Sequence, residues 1–236
     1  MATGTFMGII VKCTKLSLLT FLLMMVGCKQ QVNEGKTISK KKSNYIEKNK
    51  MEKFDVGKFA AEMLKDEGYS GYYLKDGTYV QEGYMPKPNA SSQPFDTSAV
   101  LTYDQQIITP DNYTKINEFY ASGQLKKSLL MFSVDLETGL WKYYDEQGNL
   151  TESIDKDKGY KFTLENVIDF GKAKNIDFYK EGDVNRGFDE KFKKNVWAVS
   201  WFERKINEDA VNQIYLLDGD SGAELNHITK PAPVMR

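Results

Sequence analysis

A cysteine, a single histidine and three carboxylate pairs are the residues of this 236-residue chain whose types and spacing invite chemistry. His227 is the only histidine, so a zinc site with two histidines is excluded, and a Ser-His-Asp triad would have to use His227 itself. It falls inside a predicted strand and reads as sheet surface. No Gly-x-Ser-x-Gly elbow and no phosphate-loop motif occurs. The pairs Asp155/Asp157, Glu181/Asp183 and Asp218/Asp220 have the residue types for acid–base work, glycoside hydrolysis or calcium binding. Asp218-x-Asp220 opens like a calcium loop, but glycine stands fifth rather than sixth and no closing glutamate follows. Each pair lies beside Gly or Lys, where solvated turns are expected. No residue is therefore assigned to catalysis, and no metal or cofactor is expected. Tyr69, Tyr72, Tyr73, Tyr79 and Tyr84 form the densest aromatic cluster. They are a candidate binding surface, since tyrosine is enriched at interfaces, but cross-strand ring pairing that stabilises a hairpin is the preferred role.

Cys28 closes the tract LSLLTFLLMMVGC, whose eleven apolar-rich residues follow Lys12 and Lys15, with no acidic residue before Glu34. A positive lead, a short apolar core and a small residue before the cut predict an export signal over residues 1–27, too short to span a bilayer comfortably. Met7 is an alternative start. The sequence Met25-Val26-Gly27-Cys28 resembles the lipobox of bacterial lipoproteins. The resemblance implies that the thiol of Cys28 receives a diacylglyceryl group, that the chain is cut before it, and that the new amino terminus is acylated. Membrane lipid is then a partner through Cys28, and the mature chain keeps no free thiol. Lys29, rather than aspartate, after the cysteine implies the outer membrane with the body facing the periplasm. An ordinary thiol behind a plain signal peptide and a retained membrane anchor are the alternatives.

Charge divides the mature chain. Residues 29–50 carry seven lysines against Glu34 and Glu47, whereas the part from Met51 onward has a balance of −8. With few apolar residues and no periodicity, 28–50 reads as the lipidated cysteine and a disordered basic tether, roughly 25 Å in root-mean-square length. An acidic body argues against nucleic acid as a partner, because neutralising phosphate takes clustered Lys and Arg.

Asp55 to Gly68 predicts a helix: Asp55 caps it, Val56, Phe59, Ala60, Met63 and Leu64 form the apolar stripe, and Gly68 ends it in a left-handed conformation. Asp76-Gly77 between Tyr72–Leu74 and Thr78–Val80 predicts a hairpin. Residues 85–98, with Pro86, Pro88 and Pro94, predict a loop separating the helix–hairpin unit (51–98) from the remainder of the body. Short strands are expected at Ile116–Tyr120, Leu125–Val134, Leu140–Tyr144 and Leu150–Ile154. Within them NEFYASGQLKKS (117–128) repeats as WKYYDEQGNLTES (141–153), with one extra turn residue in the second copy. The shared aromatic, Tyr, polar turn, Gly, amide, Leu and Ser, together with Gly139-Leu140-Trp141-Lys142-Tyr143-Tyr144, resemble MORN-type repeats in the variant of bacterial YwqK-like antitoxins. The resemblance implies a β-meander over 99–160. A stack normally needs three or more repeats, so two must lean on neighbouring structure.

Thr163 caps a second predicted helix carrying Leu164, Val167, Ile168 and Ala173. The segment EGDVNRGFDEKFKK reads as a loop, Val196–Glu203 as a strand with Trp197, Val199 and Trp201 on one side, and Gln213–Leu217 with Glu224–Ile228 as a hairpin. This helix-plus-three-strand pattern over 161–236 resembles a divergent PepSY-type unit, a family that binds or inhibits peptidases and other envelope proteins. The fold expected is α+β: a mostly antiparallel β-sheet with two amphipathic helices and a MORN-like meander in the middle. The function expected is a membrane-anchored, non-catalytic protein-binding or scaffolding module of the cell envelope. An immunity or antitoxin-like protein masking a toxic partner, and a carboxylate-based hydrolase, are the alternatives.

Overall fold

The computed structural model describes residues 52–90, 95–178, 180–203 and 210–231. Cys28, the leader 1–27 and the tether 28–50 lie outside the described residues. Among the described residues no helix is long and apolar enough to cross a membrane. The fold is α+β and mostly antiparallel, as composition and turn chemistry led one to expect.

Helix α1 (Val56–Lys65) starts where Asp55 accepts a hydrogen bond from the Lys58 amide at 2.9 Å. It is shorter than expected. Asp66 is already extended, and its carboxylate accepts the Gly68 amide at 2.9 Å, so the chain leaves the helix through an Asx turn before the glycine is reached. Phe59 and Met63 are buried, but Leu64 is exposed, so the stripe is narrower than the periodicity suggests.

Seven strands follow in chain order as one antiparallel meander: β1 (Gly71–Tyr73), β2 (Tyr79–Pro86), β3 (Val100–Ile108), β4 (Tyr113–Tyr120), β5 (Leu125–Phe132), β6 (Leu136–Tyr144) and β7 (Leu150–Asp155). The Asp76-Gly77 hairpin is present, with Tyr72 opposite Val80. The expected boundary at residue 98 is not a boundary of the sheet, because β2 pairs with β3 along its whole length. Strand β3 is not among the expected strands: its sequence VLTYDQQII lacks clean alternation, since Thr102 and Tyr103 are buried on opposite faces. The two sequence repeats are the adjacent hairpins β4–β5 and β6–β7.

Helix α2 (Leu164–Ala173) begins with a reciprocal box between Thr163 and Asn166. A second antiparallel sheet comes after it, in the order β11 (Glu224–Pro231), β10 (Val211–Asp218), β9 (Lys194–Glu203), β8 (Gly182–Asp189). It has four strands, not three. The segment read as a loop is β8, an edge strand whose exposed outer residues hide the alternation of Val184 and Arg186.

One face of the meander carries both cores. Phe54, Phe59, Met63, Val100, Tyr103, Phe119 and Leu125 pack together at the α1 end. At the other end Tyr113, Leu130, Phe132 and Leu136 pack against Leu164 and Val167 of α2, Phe178 of the loop after it, and Trp197 and Leu217 of the second sheet. Arg186 joins the two sheets. Its guanidinium donates to Asp157 Oδ1 at 2.9 Å and to the carbonyls of Glu137 and Lys156, and lies over the rings of Tyr160 and Trp197.

Asp218 closes the β10–β11 turn. Its buried carboxylate accepts Lys194 Nζ at 2.5 Å, the amides of Asp220 and Ser221, and the Ser221 hydroxyl. The bond from Lys194 is the main cause holding its pKa well below the carboxylate range, with the backbone donors adding to it. A depressed folded value contributes stability above about pH 4 that is lost as pH falls further. Acid unfolding monitored by circular dichroism is therefore expected to steepen below about pH 4 in the native chain. Asp218→Asn should be less stable at neutral pH and flatter over that acid range; parallel stability profiles of the two proteins would show the turn carboxylate to be irrelevant.

Candidate functional site

The inner face of the meander is not apolar throughout. Cross-strand pairing puts Glu82, Gln105, Asn117, Ser128, Lys142 and Ser153 in a single row across β2 to β7, between the two cores. Alternation forces this: in β4 the inward positions run Tyr113, Lys115, Asn117, Phe119. At its covered end Glu82 accepts the Tyr69 hydroxyl at 2.8 Å and the Gln105 amide at 3.1 Å. Burial and this carboxylate raise the Tyr69 pKa. Asn117 is fully buried and its Oδ1 has no partner among the described residues.

The segment Glu52–Phe54 straps the first hairpin across this row. Glu52 meets Lys115 Nζ at 2.7 Å and takes a hydrogen bond from Asn117 Nδ2 at 2.8 Å. Lys53 bridges Gln124, the Phe54 amide donates to the Gly123 carbonyl at 2.9 Å, and the Phe54 ring lies on Tyr103 and Phe119. Gly123 has φ +79°, and a Cβ there would stand 2.8 Å from the Phe54 carbonyl oxygen, so the strap can approach only because the residue is glycine. The strap covers Leu125, which is 8 % exposed.

The second hairpin has the same construction without a described strap. Phe119 pairs with Leu125, and Tyr144 with Leu150, each next to a register shift. The turns match: Tyr120 bonds Gln124 as Asp145 bonds Asn149, and Gly123 bonds Tyr120 as Gly148 bonds Asp145. The loops are thus equal in length, which corrects the alignment with an extra turn residue: Tyr144, not Tyr143, is the counterpart of Phe119. Toward the start of each strand, Leu140 and Lys142 stand where Lys115 and Asn117 stand in the first hairpin. Leu140 and Leu150 are each 55 % exposed. Tyr144 lies close enough to Glu52 that the carboxylate adds to the burial raising its pKa.

The five tyrosines do not share one surface. Tyr69 and Tyr84 pack with Phe59 in the α1 core, and Tyr72 lies under Lys58 Nζ at 3.9 Å. Tyr73 and Tyr79 pair on the opposite face with ring centroids 4.8 Å apart. Of the carboxylate pairs, Asp157 binds Thr138, Gly139 and Arg186, Asp155 accepts the Asp157 amide, and Glu181 and Asp183 are exposed. His227 is exposed, stacked on Tyr215 at 4.0 Å and bonded to Gln213. Among the described residues no group of three His, Cys, Asp or Glu could hold a metal ion. The residues missed by sequence reading are Glu52, Lys115, Asn117 and Lys142. Lys115 and Asn117 between the apolar Tyr113 and Phe119 of one strand are the available signal. The chain matches no known family model, no curated protein and no solved structure.

Proposed function

We propose that this chain is a bacterial lipoprotein, held at the membrane through lipid on Cys28, whose body is a non-catalytic module that binds another protein of the cell envelope. One structural observation supports the binding role above the others: the inner face of the second hairpin leaves Leu140 and Leu150 open beside Lys142, where the matching face of the first hairpin is covered. Exposed apolar side chains beside a charge are the makings of a protein interface. The carboxylates that suggest hydrolysis are instead occupied in turns and in the joint between the sheets, or stand in solvent.

Anchoring rests on the tract Leu16–Cys28. Acyl chains contribute about 0.8 kcal/mol per buried methylene, so a cysteine carrying several is a stable anchor. Lys29 favours the outer membrane and the periplasmic side. Expressed in a Gram-negative host, the native chain should incorporate labelled palmitate and sediment with outer membranes. Cys28→Ala should incorporate none and should accumulate as an unprocessed precursor; label or maturation persisting in that variant would rule out the anchor.

A further inference from the structure

We infer that the open face of the second hairpin receives an extended segment of the partner protein with the pattern acidic residue, any residue, aromatic residue. This rests on the binding role proposed above and names the chemistry of the partner. The chain supplies its own template. On the first hairpin Glu52-Lys53-Phe54 sets a carboxylate on the inward polar pair Lys115 and Asn117, a backbone bridge on Gln124, and an aromatic ring over the Phe119–Leu125 pair. The second hairpin repeats the receiving parts in the same register: Lys142 for Asn117, Asn149 for Gln124, Gly148 for Gly123, and the Tyr144–Leu150 pair for Phe119–Leu125.

The differences define the guest. Asn117 offers a neutral donor and shares its carboxylate with Lys115. At the second hairpin Leu140 replaces that lysine, and the cation moves to Lys142, to which the described residues bring no carboxylate. A single carboxylate is therefore matched by one ammonium rather than by an ammonium and an amide. Leu140 adds apolar surface next to it, so the guest's residue two before the acid, which shares its face in an extended chain, should be apolar. Gly148 has φ +86°, like Gly123, and presents no side chain to the approaching backbone. The match is to an extended chain, not a helix, because a helical segment would not bring its backbone to Asn149 while placing two side chains, two residues apart, on one face.

The probe is a synthetic peptide with the strap's own residues and a leucine two positions before the glutamate, Leu-Ser-Glu-Lys-Phe-Asp-Val, capped at both ends and dye-labelled. Titrated with the detergent-solubilised full chain, it should bind with saturable anisotropy. Leu150→Glu and Lys142→Glu should each weaken binding about tenfold or more, which corresponds to about 1.4 kcal/mol. A peptide with Gln for its Glu should lose its sensitivity to Lys142→Glu. Lys230→Glu, on the far edge strand, should bind like the native chain. Circular dichroism and melting of each variant separate lost binding from lost folding. Absence of saturable binding, or binding indifferent to Leu150 and Lys142 in folded variants, overturns the assignment. So does a concentration-dependent dimer abolished by Leu150→Glu, which would give the face to a second copy. Because the titration needs no bilayer, its failure leaves palmitate labelling of Cys28 untouched, and failure of that labelling leaves the titration untouched.

Discussion

Arg186→Ala is expected to lower the unfolding free energy by about 3 kcal/mol, and the melting midpoint by roughly 6–12 °C. The side chain is 9 % exposed and is the main polar tie between the two sheets. Its removal leaves the carbonyls of Glu137 and Lys156 without their donor and takes the cation from Asp157. Asp157 is 43 % exposed, so water recovers part of its solvation, and the loss falls at the lower end of the range for a broken buried pair. The stem and guanidinium also pack on Tyr160 and Trp197, so the change costs contact area as well as charge. Arg186→Lys should recover little of this, because one ammonium cannot serve a carboxylate and two carbonyls in a planar fork. Urea unfolding followed by circular dichroism measures the difference. A loss below about 1 kcal/mol for Arg186→Ala would show that apolar packing alone holds the sheets together.

Trp197→Ala carries the larger cost, about 4 kcal/mol, as expected for removing a fully buried indole from a well-packed core. Trp197 has no exposed surface, and its Nε1 donates to the Phe162 carbonyl at 2.8 Å, fixing the approach to α2. Its ring also meets Tyr160 at 5.0 Å and the Arg186 guanidinium at the same distance. Arg186 and Trp197 therefore share contacts, and their effects should not add. The double variant is expected to fall short of the summed losses by about 0.5 kcal/mol or more. Trp197→Phe, which keeps a ring and loses the donor, should sit between the native chain and Trp197→Ala. Strict additivity in the cycle would mean that the guanidinium and indole stabilise the joint independently.

These two residues also mark where reading the chain succeeds and where it stops. The alternation in VWAVSWFE places Trp197 in the core, through a pattern with period two that needs no knowledge of the rest of the molecule. The Thr163 cap, the Asp76-Gly77 hairpin and the paired repeat hairpins are legible for the same reason: capping and turn conformations are decided within a few residues. Arg186 is not legible, because its value depends on β6 and the turn after β7 coming within reach from 49 and 29 residues away. β3 escapes notice because a strand in the middle of a sheet can bury residues on both faces and so loses its alternation.

The proposed binding surface divides along the same line. From the order of residues alone come the lipobox resemblance at Cys28, the basic stretch after it, the α+β class and the existence of two related hairpins. Each is a property of neighbouring residues. Only the folded sheet sets Lys142 and Leu150 at positions equivalent to Asn117 and Leu125, lays Glu52 and Phe54 over one hairpin, and leaves the other open. Register and coverage are settled by pairing and packing across long separations, and no local pattern encodes which of two similar faces will find a cover.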